Sequence, residues 1–178
     1  MGKIEPFFPV KLIFGIISGS QGLIEEIEEP LTQRYGLIDF RSPLVPFTFT
    51  DYYTSQMGEN LLRRFIGFQQ LIKPELLPDI KIYSNQLEEE YALRSPRVRR
   101  PINLDPGYLT ASCLILASTK NYSHRIPLRE GIYAQLEYIF KKRGEVQTFP
   151  WTYPDYRTKG HQQIFLELRS IYLKQIKK

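Results

Sequence analysis

The chain has 178 residues, 42% apolar and 24% charged, enough for one globular domain with a sizeable core and short for two. Twenty-four Lys and Arg against nineteen Asp and Glu leave +5, a mild basic excess that permits a phosphate-bearing partner but falls well short of a nucleic-acid-coating charge. A single cysteine, Cys113, excludes an intrachain disulfide framework and, with two histidines, leaves no ligand set for a thiolate-rich zinc site, so a reducing cytoplasm is the expected setting. Met1 to Pro6 carries an early acid and a proline where a signal peptide needs an unbroken apolar run, and no stretch reaches the roughly 20 apolar residues of a membrane span. A soluble, unprocessed single domain over 1–178 with no membrane partner is expected.

Val10 to Ile17 is apolar and β-branched, too short for a typical buried helix, and ends in the punctuation Ser18-Gly19-Ser20-Gln21-Gly22, so it reads as a central strand. From Leu23 to Tyr35 the apolar positions recur at helical spacing, with Ser20 as N-cap, acids crowding the first turns, Gly36 closing the C-terminus and Pro30 expected to kink or divide the helix. Leu37 to Thr50 reads as extended chain bent by Pro43 and Pro46, followed by the aromatic loop Asp51-Tyr52-Tyr53. Asn60 to Leu71 reads as an amphipathic helix with Arg63 and Arg64 on its wet side. Asp79 to Leu93 fits another helix, although Ile80 to Tyr83 alternates well enough for a short strand.

Tyr108 to Thr119 and Gly131 to Phe140 read as two further strands, a hairpin with a long polar connection. In the second, alternation puts Ile132, Ala134, Leu136, Tyr138 and Phe140 on one face and Gln135, Glu137 and Ile139 on the other. Val146 to Phe149 makes a short strand, and His161 to Ile176 a helix that docks on the sheet. The preferred fold is a single α+β domain, a mixed and partly antiparallel sheet with helices largely covering one face. A doubly wound α/β arrangement is the alternative.

Four ordered segments, Asn103 to Leu109, Leu116 to Asn121 with His124-Arg125-Ile126, Gly131 to Ala134, and Trp151-Thr152-Tyr153-Pro154-Asp155-Tyr156, resemble the signature of a bacterial family known as domain of unknown function 4416. The resemblance covers essentially the whole chain. It implies a compact bacterial cytoplasmic protein and brings no catalytic residue with it.

The turn after the first strand lacks both the Lys-Ser/Thr end of a P-loop and the three spaced glycines of a dinucleotide fingerprint, and Ser18 stands where a nucleophile elbow needs its first Gly. Arg94, Arg97, Arg99 and Arg100 place four guanidinium groups within a short connector, the strongest electrostatic feature of the chain, balanced by Glu88-Glu89-Glu90 just before it. Lys120, Asn121, His124 and Arg125 fall in a strand-end loop, with His124 the better acid or base of the two histidines, because His161 opens the last helix and is expected to be exposed or capping. Trp151, Tyr153 and Tyr156 crowd a proline-bounded loop, where they either stack a ligand or lid the core. Asp39, Asp51, Asp105 and Asp155 sit near turns without diagnostic metal spacing.

These features support three expectations. In the first, the protein is a non-catalytic binding module for a nucleotide or RNA segment. Arg94, Arg97, Arg99, Arg100, Lys120 and Arg125 hold phosphate while Trp151, Tyr153 and Tyr156 stack. In the second it is a hydrolase or transferase for an anionic small molecule, with His124 as acid or base and Asp105 or Asp155 as its orienting carboxylate. In the third it is a scaffold or assembly protein.

Overall fold

The N-terminal apolar run forms β1 (Val10–Ser18), buried at all nine positions because strands flank it on both edges and helices cover both faces. The computed structural model describes residues 2–49, 54–96 and 98–177. After β1, Ser20 Oγ accepts the Leu23 amide and caps α1 (Gln21–Glu26), which hands over at Ile27 to α2 (Glu28–Tyr35). The break falls where Pro30 dictates it, since a proline ring collides with the carbonyl four residues earlier, here Glu26, the last residue of α1. Gly36, at φ 87°, ends α2 in a conformation that suits glycine.

The extended stretch that follows supplies two short strands, β2 (Ile38–Arg41) and β3 (Val45–Pro46), and a one-turn helix, α3 (Thr54–Met57), comes next. The expected Asp51-Tyr52-Tyr53 loop lies outside the described residues.

The segment read as an amphipathic helix is instead a long strand, β4 (Leu62–Ile72), paired with β1, β2 and β3. Both of its faces are covered, so its middle reads as a continuous apolar run that periodicity does not separate from a buried helix. Arg63 and Phe65 turn to one face while Ile66 and Phe68 join the core on the other. Arg63 is therefore not on a wet helix side; it is 2% exposed.

A 3-10 turn at Pro74–Leu76 leads into α4 (Leu77–Leu93), which settles the helix-or-strand ambiguity in favour of helix. The second half contains β5 (Ile102–Leu109), β6 (Cys113–Ser118), β7 (Ile126–Pro127), β8 (Tyr133–Phe140), β9 (Val146–Gln147) and α5 (Lys159–Gln175). The expected single strand from Tyr108 to Thr119 is divided at Thr110, whose hydroxyl accepts the Ser112 and Cys113 amides and turns the chain back on itself.

The nine strands of the described residues form one sheet in the order β2-β4-β1-β5-β6-β8-β7, with β3 on β4 and β9 on β8, and every described pairing is antiparallel. This is an α+β fold, and the doubly wound alternative does not apply. Because β4 and β5 both run antiparallel to β1, they are parallel to each other across it, so β4-α4-β5 is a split βαβ unit. Helices α1, α2 and α4 cover one face through Ile24, Leu31, Ile80 and Leu87 against Leu12, Phe14, Ile66 and Leu104. The opposite face is covered as well, by α5, which docks on the sheet as expected through Phe165, Leu168 and Tyr172 against Ile13, Phe65, Leu116 and Tyr138. Among the described residues no helix is long and apolar enough to cross a membrane.

One irregularity positions the site. Strand β6 pairs with β5 only over Gly107–Leu109, leaving the first half of β5 without a strand on that side. Helix α4 fills in chemically: Lys81 Nζ donates to the Leu104 carbonyl at 2.8 Å and Glu88 Oε1 accepts the Leu104 amide at 2.7 Å. Side chains thus satisfy main-chain groups that a neighbouring strand would otherwise satisfy.

Candidate functional site

Three distant segments converge on the α5 face. Arg63 of β4 donates through Nε and Nη2 to Asp155 Oδ2, at 3.1 and 2.8 Å, and through Nη1 to Asp105 Oδ2 of β5 at 3.0 Å. Asp155 lies in the 3-10 turn Asp155–Arg157 that precedes α5. The guanidinium is surrounded by the rings of Phe65, Tyr156 and Phe47, at 4.9, 5.3 and 5.5 Å from its carbon. Between β4 and β5 the central strand offers Gly15, whose lack of a side chain leaves the guanidinium its room.

Burial works against charge at Arg63, but the carboxylates of Asp155 and Asp105 more than restore it, so its pKa is raised. Burial likewise opposes ionisation of Asp105, and the charges of Arg63 and Lys81, with the hydrogen bond from Arg63, outweigh it and hold this carboxyl below its ordinary value. Two carboxylates against one guanidinium leave the triad with a net negative charge. Its least buried member is Asp105, whose side chain is 19% exposed against 4% for Asp155.

The loop from Phe149 to Arg157 is fastened to β8. A register shift between β6 and β8 at Tyr138 and Leu136 marks a β-bulge, which places the consecutive residues Glu137 and Tyr138 toward the same loop. Tyr138 donates its hydroxyl to the Tyr156 carbonyl, and Glu137 Oε2 accepts the Tyr153 amide at 3.2 Å. The alternation expected from sequence, with Glu137 and Tyr138 on opposite faces, fails at this bulge. Glu137 is fully buried, and desolvation pushes its carboxyl up to about 8 despite hydrogen bonds from Tyr153 and Gln135.

Gln135, also on β8, donates its amide to Glu137 Oε1 and accepts Arg125 Nε at 2.5 Å. A guanidinium only donates, so the Gln135 atom facing it is the oxygen. His124 Nε2 lies 3.1 Å from that same oxygen and therefore carries the imidazole proton. Arg125 continues to Ser118 Oγ at 2.5 Å, the Lys120 carbonyl at 2.9 Å and the Tyr153 hydroxyl at 3.0 Å, and its guanidinium carbon sits 4.8 Å from the Tyr122 ring centre.

His124 is the second ring of a parallel column Tyr122, His124, Trp151, Phe149, with centroid spacings of 5.9, 5.2 and 5.0 Å and interplanar angles under 10°. Trp151 further donates its indole N–H to the Leu136 carbonyl at 2.9 Å.

A cavity of about 270 Å³ opens over the triad. The rings of Phe47, Phe49, Tyr122 and Tyr153 line it with Ile17, Pro154 and Lys120, while Arg63, Asp105 and Asp155 supply its buried polar surface. Larger depressions beside α2 and α4, and beside the end of α5, gather no comparable set of rings around a buried charge.

The residues singled out from sequence are thus distributed unevenly. Lys120, Tyr153, Asp105 and Asp155 meet at the cavity, and Tyr156 lies beneath it in the core. Arg125 is a brace for three cavity residues. Arg94 rests over the Tyr91 ring at the end of α4, while Arg99 and Arg100 border a separate groove with Asn85, Glu88 and Glu89, and Arg100 donates to Glu88 Oε2 at 2.7 Å. None of these three lines the cavity, and Arg97 lies outside the described residues. His124 meets the amide oxygen of Gln135, where Asp105 or Asp155 was expected as its orienting carboxylate. His161, expected to be exposed or capping, is 5% exposed, with Nδ1 3.9 Å from Asp155 Oδ2 and its ring edge-on to Phe65; Thr158 caps α5 instead. Burial lowers the His161 pKa. Among the described residues no cluster of three or more His, Cys, Asp and Glu is arranged to hold a metal ion.

Sequence reasoning missed Arg63, Gln135, Glu137 and the role of Gly15. The available signal was Gly15 itself, an isolated glycine inside an apolar strand, which marks a close approach from a neighbouring element. Neither a curated protein nor a solved structure matches the chain. The family described as Domain of unknown function (DUF4416) matches residues 8–172, a span that includes every strand of the sheet, the triad and the cavity lining, and the chain belongs to that family.

Proposed function

We propose that this protein is a bacterial cytoplasmic binding module for a small nucleotide-class ligand, seated in the cavity over the Arg63 triad. The observation that carries the reading is the joining of four aromatic rings, a charge-held carboxylate and a lysine around one small cavity. Rings offer stacking faces to a planar heterocycle, each stack being worth about 1–3 kcal/mol. Asp105, kept ionised and the least buried acid of the triad, accepts hydrogen bonds from ring or amino N–H groups. The triad's net negative charge turns a phosphate away from the deep end, so the phosphate lies toward Lys120.

The size of the cavity favours one base or mononucleotide over a strand of RNA, and Arg94, Arg99 and Arg100 border other grooves. Calorimetric titration with the common mononucleotides and with a short single-stranded RNA tests the reading. Saturable binding of at least one mononucleotide is expected, weakened at least tenfold in Tyr122→Ala, whose ring is 54% exposed and whose loss spares the core. Binding of RNA alone, unaffected by that substitution, contradicts the proposal.

A further inference from the structure

Glu137, Gln135, Arg125 and Tyr153 form a closed ring of hydrogen bonds behind the cavity. Gln135 Nε2 donates to Glu137 Oε1, Arg125 Nε donates to Gln135 Oε1, Arg125 Nη2 donates to the Tyr153 hydroxyl, and the Tyr153 amide donates to Glu137 Oε2. Three of the four residues are buried, and the fourth, Tyr153, is a wall of the cavity.

Arg125 can only donate, which orients Gln135, and the oriented Gln135 can only donate to Glu137. The other partner of Glu137 is a backbone N–H. Both carboxyl oxygens therefore face donors, and the ring closes at full strength only on a carboxylate. A protonated carboxyl accepts well only at its carbonyl oxygen, and its hydroxyl oxygen meets a donor as a weak acceptor.

We propose that this ring is a proton-operated latch on the ligand cavity: protonation of Glu137 opens it at Tyr153 or Gln135 and slackens the cavity wall, and deprotonation closes it. This rests on the ligand reading above. Opening reaches the cavity by two routes, because Arg125, released from an oriented Gln135, also braces the Lys120 carbonyl and the Tyr122 ring.

Burial places the Glu137 transition at about 8, where small changes in acidity act on it. The surrounding charged and titratable groups are Arg125 and His124 from the loop before β7, Asp155 and Tyr153 from the loop before α5, Tyr138 on β8 itself, and the Arg63 and His161 neighbours of Asp155. Arg125 favours the charged carboxyl and Asp155 opposes it. Tyr153 is itself pushed up to about 12 and Tyr138 is raised further, so neither phenol titrates in the same window. His161 is shifted down, away from it.

The test has two arms. In the unliganded protein, the Tyr153 amide and Trp151 indole resonances are followed by proton-nitrogen NMR from about pH 6.5 to pH 9.5, a window that spans the raised carboxyl value. A common midpoint near 8 is expected in the wild type and its loss in Glu137→Gln; a Tyr153 amide that does not titrate overturns the latch, and this wild-type measurement stands even where the variant fails to fold. In the second arm the affinity for adenosine monophosphate is measured at about pH 7 and about pH 9, both above the phosphate's second pKa of about 6. Proton linkage gives up to about tenfold tighter binding at the higher pH. Titration of the amide with equal affinity at both pH values overturns the coupling to the cavity. Titration of the amide with no binding of this or any other mononucleotide at either pH is instead a failure of the ligand reading, and leaves the latch a device of the loop alone.

Discussion

Gly15 on the central strand stands opposite Asp105, and a Cβ placed there would lie 3.1 Å from Arg63 Nη1, 3.1 Å from the Tyr156 hydroxyl and 3.2 Å from Phe65 Cε1. All three neighbours are fully or almost fully buried, so none swings into solvent to make room. The missing methyl group is what lets an arginine on one strand reach a carboxylate two strands away. Gly15→Ala is therefore expected to cost about 1–3 kcal/mol of stability, the usual range for overpacking a core, read from urea denaturation. A variant as stable as wild type contradicts this account of the triad's packing.

Arg63 pairs with two acids at once, and removing it leaves Asp155 buried without its cation. Arg63→Met is expected to lose about 3–5 kcal/mol, the range for breaking a buried ion pair by deleting one partner. Adding Asp155→Asn should recover part of that loss. A double-mutant cycle with no coupling between the two positions would mean that they do not act as a pair.

The pH dependence of stability carries the signature of Glu137. Its carboxyl value rises from 4.5 to about 8 on folding. The native state thus holds the proton more tightly, so the contribution is full below about 4.5 and is lost as pH rises, the loss being complete once pH passes about 8. Asp105 behaves oppositely: its value is lowered, so its contribution is lost only as strong acid protonates it. Unfolding free energies are expected to fall by on the order of a few kcal/mol between pH 5 and pH 8 in the wild type, and the slope should flatten in Glu137→Gln. A wild-type profile that is flat over this interval contradicts the burial argument.

Arg125 spends its donors on four different residues, and its planar fork suits this where an ammonium does not. Arg125→Lys keeps the charge but is expected to destabilise the fold by about 1–3 kcal/mol through unsatisfied buried acceptors. Its tryptophan emission should also change, since Trp151 stacks on His124 and shares Gln135 with Arg125. Unchanged stability and emission in this variant would place Arg125 outside the framework.

Much of the architecture was legible where one physical signal dominated. The N-terminal strand, the Ser20 cap, the helix break at Pro30 and the terminal helix each follow from local chemistry. Legibility failed where tertiary context decides. Arg63 sits next to a run that both helix and buried strand accept, and only its pairing with β1 makes it an interior residue. The face of Glu137 depends on a one-residue bulge, which inverts an otherwise sound alternation. Asp105 and Asp155 were visible as turn-associated acids, yet nothing in sequence joins them, because their common partner was assigned to solvent. The arginine-rich connector drew attention through density of charge, whereas the buried site uses single arginines from separate segments.

The most direct test of the ligand reading is a chemical-shift map. Labelled protein is titrated with AMP, GMP, CMP and UMP in turn, and the shifted resonances are placed on the fold. The account expects saturable shifts at Tyr122, Tyr153, Asp105 and Lys120 with at least one of the four, and little change at Arg94 or Arg99. Shifts confined to the groove of Arg99 and Arg100, or no saturable shift with any of them, contradict it.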